Sequence, residues 1–144
     1  MSWLPKKCVV VPVDFSDESI AAVDEALGLV DKPEQLHIVH VLAPLEPAEP
    51  GVIWTTVDNE SRSQHADQAL RERLADKKYE GVDTAIAFGD ASQEIAGYAQ
   101  GIDAELIVLP SHGRTGLSRF LIGSVAERVV RLAHCPVLVL RNGA

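Results

Sequence analysis

Short apolar, β-branched runs alternate with segments of helical periodicity along nearly the whole chain, and that alternation leaves few folds open. Lys7–Asp14 (KCVVVPVD), Leu36–Leu42 (LHIVHVL), Val82–Phe88, Ala104–Leu109 and Pro136–Arg141 (PVLVLR) each read as a strand. Runs that are apolar throughout mark strands buried on both faces, as in a parallel sheet covered by helices. Between the first two runs, Ser16 offers an N-cap, and Asp17 and Glu18 suit the positive helix end. Ile20, Val23, Leu27 and Val30 follow at helical spacing. Asp58–Tyr79 reads as a long polar helix with a narrow stripe of Ala66, Ala69, Leu70 and Leu74, stopped by Gly81. Asp90 with Gln93 has the form of a capping box opening a helix over Ala91–Gln100. Gly123–Ala133 supplies the fourth helix, with Glu127 and Arg131 paired at i,i+4. The expected fold is one α/β domain spanning residues 1–144, an open parallel five-stranded sheet with helices on both faces.

Composition removes several function classes. A chain that is 47% hydrophobic and 24% charged is not disordered. Its net charge of −8 disfavours a general nucleic-acid-binding face. The longest apolar runs are too short to span a bilayer, so no membrane role is expected. The start, MSWLPKKCVVVPVDF, carries a basic pair before an apolar run, but Pro12 and Asp14 interrupt that run. A first strand is the better reading than a signal peptide, and a cytoplasmic protein is expected. Cys8 and Cys135 sit beside strands without CxxC or Cys/His spacing and are expected to be buried, reduced thiols. His37 and His40 fall on opposite faces of one strand, so no metal site is expected there. Residues 43–57 (APLEPAEPGVIWTTV) are broken by Pro44, Pro47, Pro50 and Gly51, which makes them long for an α/β connection. They read as a functional loop whose Trp54 packs on the body or helps cover a site.

Function is concentrated between Ser111 and Leu132 (SHGRTGLSRFLIGSVAERVVRL). A strand, a glycine-containing loop and a helix N-terminus follow one another there, the arrangement by which α/β proteins hold phosphate. From Ser111 to Arg131 stand Arg114, Arg119, Arg128 and Arg131 against Glu127 alone, 4 − 1, a local excess of +3 in an acidic chain. No GKS or GKT occurs, so there is no Walker lysine.

VVPVDFS (Val10–Ser16) and AELIVLPSHGRTGLSRFLIGSVAERVVRLAHCPVLVLR (Ala104–Arg141) together resemble the universal stress protein family. The resemblance implies a flavodoxin-like sheet of order 3-2-1-4-5, a homodimer through the last strand Pro136–Arg141, and an adenine nucleotide such as ATP, with or without Mg2+. In ATP-binding members the signature is glycine, two residues, glycine, nine residues, then glycine and Ser or Thr. Gly113 matches the second glycine, Arg114–Ile122 the nine residues, and Gly123–Ser124 the closing pair. Pro110 stands where the first glycine belongs. Proline has no N–H to donate, and the lost bond costs about 0.5–1.5 kcal/mol toward a ribose oxygen or about 1.5–3 toward a phosphate.

Residue by residue, the resemblance places Asp14 near the adenosine moiety, with capping of the first helix as the alternative. Pro12 and Val41 would line the adenine pocket, with buried packing as the alternative. Gly123, Ser124 and Val125 would meet the phosphates, against the plainer reading that Ser124 caps its own helix. His112 and Arg114 would add contacts, or else remain solvated loop residues. The implied function is a stress-response sensor or adaptor that binds nucleotide, with at most slow ATP hydrolysis or self-phosphorylation, and an unknown protein partner is open. The rival is a nucleotide-free dimeric module of the same fold in which Pro110 has abolished binding. A nucleotidyl-transfer enzyme would carry an HxGH-type signature after the first strand, and VDFSDES has none. A flavin site would fall in the same place, where the chain has Phe15-Ser16-Asp17.

Overall fold

The computed structural model describes residues 3–43, 59–111 and 123–141. Five strands form one parallel sheet in the order β3-β2-β1-β4-β5. They are β1 (Val9–Pro12), β2 (Leu36–Leu42), β3 (Asp83–Phe88), β4 (Leu106–Pro110) and β5 (Val137–Leu140). The helices are α1 (Asp17–Leu27), α2 (Asn59–Arg73), α3 (Ala91–Gly101) and α4 (Ser124–Leu132). Fold class and strand order are as the sequence implied.

Alternate residues of each inner strand feed opposite cores, which is why the runs are apolar throughout. Val9, Val11, Leu36, Ile38, Leu106 and Val108 pack with Ala22, Val23 and Ala26 of α1 and Leu70 of α2. Val10, Val39, Ile107 and Leu109 pack with Ile95 and Ala99 of α3 and Ala126 and Val129 of α4. No helix among the described residues is long and apolar enough to cross a membrane.

Element ends depart from the sequence reading where local chemistry outweighs periodicity. The first helix stops at Leu27, not Val30, because the chain turns at Gly28, whose N–H donates to Glu25 and Ala26. The second helix ends at Arg73, and Lys77–Tyr79 form a separate 3-10 turn started by the Asp76 side chain on the Lys78 N–H. Both cysteines are free but only half-buried. The Trp54 segment and its putting of a cover over the site lie outside the described residues.

Two prolines set the geometry at the carboxyl end of the sheet. Along β1 the Val13 N–H donates to Val39 on the β2 side, so strand alternation turns the Pro12 nitrogen toward β4. Along β4, Ile107 and Ser111 donate to Pro136 and Leu140 on the β5 side, so the Pro110 nitrogen faces β1. Neither nitrogen carries a proton. The β1–β4 pairing accordingly runs only through Val9↔Leu106 and Val10↔Ile107, while β4–β5 pairing continues to Pro110↔Leu140. Beyond Val10 the two central strands have no donors for each other, and a crevice opens between them.

Candidate functional site

A cavity of about 290 Å³ occupies that crevice. It lies where strand order reverses, the position at which open α/β sheets take ligands. Its walls are largely apolar: Pro12, Val39 and Val41 from the sheet, Ala91 and Ile95 from α3, and Leu109 and Pro110 from β4. Polar groups come from Asp14, Ser19, His40, Ser111 and Ser124. Apolar slots with a few placed polar groups suit a flat heterocycle carrying a polar tail.

Of the residues expected from sequence, Pro12, Asp14, Val41, Gly123, Ser124 and Val125 all line this one cavity. His112, Gly113 and Arg114 lie outside the described residues. Ser111, the start of the loop read as the phosphate site, also lines the cavity, whereas sequence reasoning did not find Val13, Ser19, Val39, His40, Ala91, Ile95, Leu109 or Ala126. A signal was present for His40 and Leu109, which lie toward the carboxyl ends of β2 and β4, where switch-point ligands sit.

Asp14 does not cap α1. The cap is Ser16, whose Oγ accepts the Ser19 N–H at 3.1 Å. Asp14 Oδ1 instead accepts from the Ser16 N–H at 3.0 Å and the Ser16 hydroxyl at 2.5 Å, so the carboxylate holds the capping residue in place. Between them Phe15 adopts φ 68°, the left-handed region. A bulky residue there costs on the order of 1–3 kcal/mol, and such conformations gather at functional sites.

Ser124 does not cap its own helix either. The N-cap of α4 is Gly123, with no side-chain hydrogen bond to the helix. By contrast, α1 is capped by Ser16 and α3 by Asp90. Gly123 is tied down through its N–H to the Ser111 carbonyl at 2.6 Å. The first N–H groups of α4 therefore open on the cavity without a side-chain acceptor, and such groups bind anions. Val125 stands beside them, 42% exposed.

The arginine excess is placed differently from what the sequence suggested. Arg128 pairs with Asp90 at 3.2 Å and Arg131 with Glu127 at 2.8 Å, and neither lines the cavity. Arg114 and Arg119 lie outside the described residues. Among the described lining residues, any pull on an anion comes from the α4 terminus rather than from a cationic side chain. No cluster of three or more metal-ligating side chains exists among the described residues.

Fold and crevice together define a flavodoxin-like open α/β protein with a ligand-sized opening at its switch point. The sequence profile of the Universal stress protein family matches residues 6–141, and the chain belongs to that family. It is 34% identical to Universal stress protein MJ0531 of Methanocaldococcus jannaschii over 143 residues, covering 94% of this chain and 82% of that one. Universal stress protein UspA from Lactobacillus plantarum superposes with a TM-score of 0.71 at 28% identity, covering 94% of this chain and 99% of the other. A universal stress protein crystallised in complex with cAMP shares the fold, with a TM-score of 0.62 at 20% identity over 96% of this chain and 99% of its own.

Proposed function

We propose that this chain binds an adenine nucleotide in the β1–β4 crevice and acts as a sensor or adaptor in stress response. The carrying observation is the α4 terminus, capped by a glycine and facing a cavity with apolar walls. A purine fits between Val39, Val41, Ala91 and Ile95, and phosphate meets the N–H groups of Ser124, Val125 and Ala126. Asp14 stands at the nucleoside end. The cAMP complex of a protein with this fold supports an adenine nucleotide as the ligand class. ATP, with or without Mg2+, is the nucleotide to which Gly113 and the Gly123–Ser124 pair of the signature point. Pro110 lines the cavity with its ring and withholds an N–H, which weakens binding by a few-fold to about a hundredfold against a glycine.

The test is calorimetric titration of nucleotide-stripped protein with Mg-ATP, beside a Gly123→Val/Ser124→Ala double variant. Micromolar binding that disappears in the variant supports the site. Absence of heat up to millimolar ATP in folded protein favours the rival, an interaction module that works without nucleotide.

Assembly as a homodimer through β5 belongs to the same proposal. The strand is an edge, and all of its residues are partly exposed. Exposed edges template pairing with another chain. Alternation points the Val139 N–H outward, away from β4. Val139→Pro therefore removes an outward donor while sparing the ladder, and it should convert dimer to monomer in sedimentation analysis.

A further inference from the structure

His40 lines the cavity, and its ring also joins two elements there. It lies on the α1 face of β2 and reaches across to the turn between β1 and α1. Nδ1 is 2.6 Å from the Val13 carbonyl oxygen. A carbonyl only accepts, so the proton sits on Nδ1 and the ring donates. The same ring meets Phe15 edge-on, with centroids 4.7 Å apart and planes at 62°. Val13 and Phe15 are the two chain neighbours of Asp14.

We propose that His40 is a positioning residue: it holds the Val13 carbonyl on one side of Asp14 and the Phe15 ring on the other, and so fixes where that carboxylate stands in the cavity. The left-handed backbone of Phe15 needs such a grip, because an unfavourable conformation persists only where its surroundings over-determine it. Ser16 secures Asp14 from the helix side through Oδ1. On the strand side Val13 is held by its N–H donating to the Val39 carbonyl and by its own carbonyl accepting from His40 Nδ1. Delivering Asp14 to a ligand is a role that rests on the nucleotide reading; gripping the turn is not.

The experiment compares wild type with His40→Leu, His40→Gln and His40→Asn. Leucine has no donor. The Gln amide falls near the former Nε2, off the Val13 carbonyl, whereas the Asn amide falls near Nδ1 and can donate there. Mg-ATP affinity is measured well below the unfolding transition, together with exchange of the Asp14 and Ser16 amide protons. His40→Leu and His40→Gln should weaken Mg-ATP by about three- to a hundredfold, the range of coupling between contacting groups, and His40→Asn should restore it. Combined with Asp14→Asn, His40→Leu should cost almost nothing further, because its effect passes through Asp14. If His40→Leu fails to fold, His40→Gln carries the same comparison.

Unchanged affinity in His40→Gln and His40→Leu, or additive losses with Asp14→Asn, would overturn the assignment. Should wild type itself ignore Mg-ATP, the nucleotide reading falls, and the amide protons decide the grip alone. Local exchange that quickens in Leu and Gln and is normal in Asn supports it; exchange unchanged in all three refutes it.

Discussion

Placing a carboxylate at the start of α4 should raise stability and lower nucleotide affinity at once, a pair of opposite signs that few other arrangements predict. Ser124 is the first helical residue, exposed, and on the cavity wall, so Ser124→Asp fits without displacing the core. A negative charge in the first turn complements the helix dipole by about 0.3–1 kcal/mol. For a chain of this size that raises the thermal midpoint by roughly 1–4 °C. The same carboxylate takes the N–H groups a phosphate would use, a loss of about 1.5–3 kcal/mol for bonds to a charged group. Repulsion adds to it, nominally about 4 kcal/mol for unit charges 4 Å apart at an effective dielectric of 20, and less once screened. A combined penalty of about 2–4 kcal/mol is a fall in affinity of roughly 30- to 1,000-fold. Ser124→Ala removes the hydroxyl and keeps every N–H, so it should cost about tenfold or less. Calorimetric titration with Mg-ATP at fixed ionic strength, paired with thermal denaturation of each variant, reads both quantities. A higher midpoint with affinity within about twofold of wild type would show that no phosphate sits at this helix end.

Three further outcomes test other parts of the structure. Leu106→Ala, at a fully buried position in the centre of the sheet, should lower unfolding free energy in urea by about 2–5 kcal/mol. Ser16→Ala should cost about 1 kcal/mol by the same assay, through loss of the α1 cap, and should weaken nucleotide as well because Asp14 loses the Ser16 hydroxyl while keeping the Ser16 N–H. The Ser92 hydroxyl and the Gln93 N–H, with Arg128 beyond them, hold the Asp90 carboxyl below its ordinary range. A depressed carboxylate contributes stability above its unfolded value and loses it as pH falls through the folded one. Acid titration of stability should therefore be flatter in Asp90→Asn than in wild type over that window.

The thiols behave in the opposite sense. Burial pushes the Cys8 thiol up, with the Glu105 and Asp103 carboxylates adding to it, and burial alone raises Cys135. Both should alkylate with iodoacetamide more slowly than free cysteine near neutral pH, and urea should abolish the difference.

The sheet was legible because β1, β2 and β4 lie inside it and both faces need apolar side chains. Helix ends were less so. Leu29 and Val30 continue the periodicity of α1, yet Gly28 turns the chain before them, a local preference that a periodicity count ignores. At the site, Gly123–Val125 and Asp14 could be named because a motif carries them in one stretch. Ala91 and Ile95 reach the cavity only through the packing of α3 against α4 across separate crossovers, and no local pattern marks that meeting. For Asp14 two roles were open in the sequence, and the Ser16 cap two residues on removes helix capping from them. Pro110 looked like a defect in a loop. Only the strand direction reveals that its nitrogen points into the same seam as that of Pro12.

That pair of prolines has a kinetic consequence. Where a pocket lies between strands joined by hydrogen bonds, a guest must wait for those bonds to part. Here the strands are unpaired beyond Val10, so no such bonds stand between the guest and the crevice. Entry is then governed by encounter and escape by the contacts made inside, so variants of the walls should differ in how long nucleotide stays far more than in how fast it arrives.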